Sequence, residues 1–188
     1  MSIHVVHFSG PINLTTAERL RDTCLSALRE GATDLRLHFS SGGGQNMPGF
    51  TLYNFLRSLP VPVTIHNLAN VQSTAVIVFL AGSRRLVCPQ ARFLLHPLHW
   101  TFESGQVDHA RLREYVGSLD NDLERFAEIF DRRTVGAAVP IDVRSHLSGE
   151  ERIITASESL TAGIAHSIEE AAIPEGAATW GVSSEKAR

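Results

Sequence analysis

A chain of 188 residues, 43% hydrophobic and 20% charged, is long enough for one domain with a full core. Its formal net charge of −3 and its lack of any Lys/Arg-rich block argue against a nucleic-acid partner. No apolar run reaches membrane-spanning length, and Met1 to Phe8 does not have the form of a signal peptide. Cys24 and Cys88 are the two cysteines, which suits buried thiols in a reducing, cytoplasmic setting.

Ile3 to Phe8 reads as a strand, and Ser9-Gly10-Pro11 as a turn. Thr15-x-x-Glu18 has the form of a capping box and opens a helix carrying Leu20, Cys24 and Leu28, closed by Gly31. Leu35 to Phe39 alternates as a second strand, and Gly42-Gly43-Gly44 follows, letting the backbone turn tightly and approach a ligand. Pro48 starts a helix that ends before Pro60. Val61 to Leu68 is a third strand, and Thr74 to Ala81 a buried helix of small and apolar residues. Leu86 to Cys88 and Phe93 to Leu95 are short strands, the second ending in His96-Pro97. The stretch from Leu98 to Ser104 has no clear pattern.

From Gln106 a long helix begins. Leu112, Val116, Leu119, Leu123, Phe126 and Phe130 form a 4-3-4-3-4 seam along one face. A seam of this length packs either on its own domain or against another subunit. Pro140 starts a shorter helix, Thr155 caps another with Glu158 at N3, and Ile164 to Ile168 is a last strand. These elements make a single domain over 1–168; residues 169–188, rich in Ala, Gly and Ser, read as a loosely ordered tail. Strand–helix alternation predicts an α/β fold with a mainly parallel sheet, whose ligands bind at the carboxyl ends of the strands. The glycine loop, Ser73 and His96 all lie at such ends.

Ser73 stands where a strand turns into a buried helix. It either caps that helix or acts as a nucleophile, with the Thr74 N–H as an oxyanion donor. A nucleophilic serine needs a base. Lys186, the single lysine, lies in the tail, so the base would be a histidine, and His96 is the one at a strand end. His4-x-x-His7 on a strand splits its rings between two faces, and His96-x-x-His99 has no clear third ligand, so no metal site is expected. Gly42 to Gly44 lacks the Lys-Ser/Thr pair of a phosphate loop.

From Val5 to about Ile168 the chain resembles ClpP, the proteolytic subunit of the Clp proteases, within the ClpP/crotonase-like fold group. Ser40-Ser41-Gly42-Gly43-Gly44, with Gly49 and Tyr53, is similar to the family's Asn-Ser-Pro-Gly-Gly segment and the helix after it. Gln72-Ser73-Thr74-Ala75, leading to Ala81-Gly82, is similar to its Ala-Ser-Met-Gly-Ala serine motif, and Cys88 to His96 to its Leu-Pro-Asn-Ser-Arg-Val-Met-Ile-His segment. Gly105 to Asp108 resembles the start of the protruding handle helix (about 105–134), and Ser157 to Ile164 the closing segment. The resemblance implies a serine endopeptidase acting through an acyl-enzyme on peptides or unfolded proteins, without a cofactor. It implies Ser73 as nucleophile, His96 as base, and Gly44 and Thr74 as oxyanion donors. It implies a homo-oligomeric ring, with the seam from Leu112 to Phe130 at the subunit interface.

Four departures matter. The family's aspartate falls on Glu151, with Glu150 as the alternative, and glutamate is one methylene longer. Val71-Gln72 and Thr74-Ala75 change the flanks of the serine. The chain starts at the first strand, before which the family carries its axial loops, so weak or no binding to a Clp-type ATPase is expected. Some twenty residues follow the last strand. The first two departures keep a rival open, a weak or inactive ring subunit acting as a scaffold. A crotonase-like acyl-CoA enzyme is the second rival.

Overall fold

A computed structural model describes residues 2–102 and 104–183, with Ser183 described by its backbone alone. Strand β1 (Ile3–Ser9) is followed by helix α1 (Leu14–Arg29), β2 (Asp34–Ser41), α2 (Asn46–Ser58), β3 (Val63–Gln72) and α3 (Thr74–Leu80). Then come β4 (Arg84–Val87), β5 (Arg92–Leu95), the long α4 (His109–Arg133), α5 (Val143–Ser148), β6 (Arg152–Thr155), α6 (Ala156–Thr161), β7 (Ser167–Ile168) and β8 (Ala178–Ser183). One sheet runs in the order β6-β5-β3-β2-β1-β8, with β4 pairing to β3 and carrying β7. Its pairings are parallel except β5 with β6. The α/β, mainly parallel expectation is met.

The core is built around α3, every residue of which is buried. A helix apolar on all sides must sit between other layers. It packs against α2 and β3, and its Phe79 meets Phe93 of β5 edge-on at 4.9 Å. Arg133, at the end of α4, donates through Nε to the Leu80 carbonyl and through Nη2 to that of Gly82. Those carbonyls are orphaned by the end of α3, so the long helix is anchored by capping the central one.

Strand β3 is longer than the sequence pattern suggests, because it serves two neighbours in turn. Thr64 to Asn67 pair with β4, and Asn70 to Gln72 with β5. A bulge against β2 lies between these stretches. Asn67, fully buried, fills it: its amide nitrogen donates to the Arg92 carbonyl and its oxygen accepts from Ala69 N–H.

Other elements depart from the sequence reading. The capping box of α1 is Asn13 with Thr16, not Thr15 with Glu18, since the helix begins at Leu14. The long helix starts at His109, capped by Asp108, and the helix expected at Pro140 starts at Val143. The last predicted strand shrinks to Ser167–Ile168. Arg152–Thr155, which no pattern singled out, is an edge strand in which only Ile154 faces the core.

The tail reading also needs correction. Ala178–Ser183 adds a parallel strand beside β1. Thr179, Trp180 and Val182 are strand formers set among Ala, Gly and Ser; pairing with β1 and the contacts of Trp180 supply the stability. Trp180 stacks on His4 and donates its indole N–H to His4 Nδ1 at 3.1 Å. Lys186 lies outside the described residues.

Candidate active site

The glycine loop is clipped to the segment after β1. Ile12 N–H donates to the Gly43 carbonyl and Gln45 N–H to the Ile12 carbonyl, each at 2.8 Å. This strand-like alternation turns the Gly44 N–H away from Ile12. Gly43 has a φ of +85°, and a Cβ there would lie 2.7 Å from Ser73 Cβ and 2.6 Å from the Gln72 carbonyl oxygen. The loop can pass this close beneath Ser73 only as glycine.

Ser73 is the non-glycine residue with positive φ among the described residues, at φ 54° and ψ −133°. This sparsely populated geometry lets a fully extended β3 turn at once into α3. The Ser73 N–H donates to the Leu94 carbonyl at 2.8 Å. That bond ties the serine to β5, the strand that delivers His96. No side-chain capping bond comes from Ser73, so the cap reading is not what the geometry expresses.

His96 is half-buried, and its Nδ1 lies 2.8 Å from the Pro97 carbonyl oxygen. A carbonyl only accepts, so Nδ1 carries the proton and Nε2 of the neutral ring is left as an acceptor. Ser73 and His96 line one cleft of about 930 Å³ with Gly42, Gly43 and Gly44 on one wall and Met47, Trp100 and Leu119 on others. Among the described residues no hydrogen bond joins the serine hydroxyl to the ring. Such bonds are often long before substrate binds. The His96 and His99 rings stack at 5.8 Å. Among the described residues no group of three His, Cys, Asp or Glu side chains could hold a metal ion.

The sequence pattern of the Clp protease family matches residues 2–172. The chain belongs to the Clp protease family. It is a serine peptidase of the ClpP type. It is 26% identical over 151 residues to ATP-dependent Clp protease proteolytic subunit 1 of Leifsonia xyli, covering 79% of this chain and 74% of that one. It is 27% identical over 89 residues to proteolytic subunit 3 of Rhizobium etli, covering 46% of each. Its fold is similar to that of a ClpP1 mutant from Listeria monocytogenes, with a TM-score of 0.71 at 20% identity over 89% of this chain and 92% of that one.

In this Clp protease family member the altered flank after the serine is accommodated locally. The Thr74 methyl sits against Gly49, where any Cβ would collide with it. Its hydroxyl donates to Asn46 Oδ1 at 2.7 Å. Glu150 and Glu151 are both exposed, and no hydrogen bond joins either carboxylate to His96 among the described residues. The seam on α4 divides. Phe126 and Phe130 are buried in the protein's own core, and Leu123 packs against it. Leu112 and Val116 are 43% and 57% exposed. The expectation of a subunit interface is therefore corrected for Phe126 and Phe130, because the C-terminal half of α4 lies across α3 while the N-terminal half projects.

Two features escaped the sequence reading. Asn46, Asp122 and Arg125 form a polar chain running away from Thr74. On the outer face of the sheet, His7, His38 and His66 fall in one rung of β1, β2 and β3. His7 meets His38 edge-on at 4.8 Å, and His38 meets His66 at 5.9 Å. Burial and these neighbours, with Arg36, hold the His38 imidazole down to about 4. His4 faces Trp180 instead, as alternation requires. Cys24 is buried, which pushes its thiol up to about 12; Cys88 is half-buried, 3.5 Å from His66 Nε2.

Proposed function

We propose that Ser73 is the nucleophile and His96 the base of this peptidase. Ser73 Oγ attacks a peptide carbonyl carbon as its proton passes to His96 Nε2. The oxyanion is held by the N–H groups of Thr74 and Gly44. Collapse of the adduct expels the amine, which takes the proton from His96. Water, activated by the same ring, then releases the acid and restores Ser73. The observation that carries this reading is the bond from Ser73 N–H to Leu94, which ties a strained serine to the strand ending in His96, above a glycine loop.

Glu151 is the candidate for the third position, and sheet register supports it over Glu150. We infer that the exposed half of the α4 seam, Leu112 and Val116 with Leu119 beside them, is covered by another copy of the chain in a ring. Trp100 stacks on Tyr115 at 4.6 Å next to this stretch, extending its apolar surface. Peptides or unfolded chains are the proposed substrates. No described helix is long and apolar enough to cross a membrane, and a cytoplasmic setting is the proposal. The scaffold and acyl-CoA readings are not favoured by the family match.

Labelling with a fluorophosphonate followed by mapping of the adduct tests the site. Modification of Ser73 in the wild type, and none in Ser73→Ala, is the expected result. An adduct elsewhere, with peptide turnover retained in Ser73→Ala, would overturn the assignment.

A further inference from the structure

Asn46 and Asp122 take no part in the acyl-transfer steps, yet both line the cleft beside Ser73. They belong to a continuous polar chain. Thr74 Oγ1 donates to Asn46 Oδ1 at 2.7 Å, and Asn46 Nδ2 donates to Asp122 Oδ2 at 3.0 Å. The other carboxylate oxygen of Asp122 meets Arg125 Nη1 at 3.2 Å, and the Arg125 guanidinium lies 4.0 Å over the Phe50 ring. The chain thus runs from the residue after the serine, through the first residue of α2, to α4 and back to the core of α2.

Its direction is set by chemistry. An ionised carboxylate only accepts, so the Asn46 nitrogen faces Asp122 and the Asn46 oxygen is left for Thr74. The Thr74 hydroxyl has a second acceptor in reach, the Gly44 carbonyl at 3.3 Å. Its single proton goes to the shorter contact while Asn46 is held in place. Without Asn46 the hydroxyl turns to Gly44 and pulls on its carbonyl, in the Gly44–Gln45 peptide whose N–H is bonded to Ile12. The Gly44 N–H on the adjoining peptide, which with the Thr74 N–H holds the oxyanion in the reading above, is displaced with it.

We infer that Asn46 and Asp122 are positioning residues: they set the separation of the Thr74 and Gly44 peptides and tie it to α4. This rests on the Ser73–His96 reading. It also means that a shift of α4 reaches the oxyanion site through one hydrogen bond, from Asn46 to Asp122.

The test uses the full chain, a fluorogenic peptide and backbone amide exchange. Asn46→Ala and Asp122→Ala should each lower kcat about tenfold or more, with KM within about twofold, since the displaced groups act on the transition state. Asp122→Asn keeps an acceptor for Asn46 and should stay within about threefold of wild type. The double variant Asn46→Ala/Asp122→Ala should be no slower than Asn46→Ala alone, because both cut one chain. Additive losses, or Asp122→Asn as slow as Asp122→Ala, would overturn the inference. Amide exchange at Gln45, whose N–H is bonded to the Ile12 carbonyl, should rise in Asn46→Ala while that of α3 is unchanged. That readout does not need turnover, so it decides the point even if the wild type cleaves nothing, an outcome that would instead count against the Ser73–His96 reading. Unchanged exchange at Gln45 would overturn the positioning role.

Discussion

Leu95 pairs with Arg152 in the last rung of the antiparallel ladder between β5 and β6. The ladder ends there; its register, extended by one step, would set His96 opposite Glu151, and by two would set Pro97 opposite Glu150. Opposite residues in such a ladder share a face, with Cβ atoms about 5 Å apart. That register is what supports Glu151 over Glu150 as the carboxylate partner in the proposed triad. The glutamate side chain nevertheless extends to solvent, and Nδ1 of His96 is held by Pro97.

The first prediction follows from that pairing. With Nδ1–H already oriented by a carbonyl, Glu151→Gln should lower kcat by less than about tenfold. Loss of a fully engaged triad aspartate costs about 10⁴-fold. Glu151→Asp should leave kcat unchanged or raise it. Steady-state kinetics on the three proteins checks this, and a thousandfold loss in Glu151→Gln would mean that the glutamate closes on His96 in the working enzyme.

Strain at Ser73 gives the second. Holding a non-glycine residue at φ 54° costs on the order of 1–3 kcal/mol, partly offset by the backbone entropy that glycine loses on folding. Ser73→Gly should abolish turnover and raise stability by about 1 kcal/mol, a few degrees in Tm for a chain of this size. Ser73→Ala should abolish turnover without the gain. Thermal unfolding of the two variants side by side separates them, and equal midpoints would mean that the serine is not strained.

The divided seam on α4 gives the third. Leu112→Glu with Val116→Glu should dissociate the assembly and leave the subunit folded, because both side chains are exposed within it. Phe130→Ala should instead unfold the subunit by about 3–5 kcal/mol, as an aromatic ring is lost from a packed core. Sedimentation and urea unfolding distinguish the two effects. A wild type that sediments as a monomer at micromolar concentration would remove the interface.

The histidine rung predicts acid sensitivity. His38 is nearly buried, faces His7, His66 and Arg36, and shares a small pocket with Arg84, Glu169 and Glu170. Its folded value of about 4 lies below the ordinary 6.5. Between these values the unfolded chain binds more protons, so stability is full above pH 6.5 and falls as the pH drops towards 4. The loss should reach about 2 kcal/mol by pH 5. In His38→Gln the urea midpoint should change much less between pH 7 and pH 5. An identical pH slope in the variant would show that His38 does not control it.

What local sequence determined is clear from α3 and its two ends. A run of small and apolar residues with no polar face has to be a buried, central element, and the chain reaches it through Ser73 after a strand. The glycines at 42–44 and the apolar strand before His96 are equally local signals, and together they single out Ser73 and His96 as the candidates proposed for nucleophile and base. The halves of the α4 seam carry the same 4-3-4 spacing, so periodicity cannot tell Phe130 from Val116. Only the crossing of α4 over α3, pinned by Arg133, decides which half is core. Ala178–Ser183 cannot form a strand alone, and β1 supplies its hydrogen bonds. His7, His38 and His66, or Thr74, Asn46 and Asp122, are separated by dozens of residues. Their contacts come from strand register and helix packing, which no short window of sequence contains.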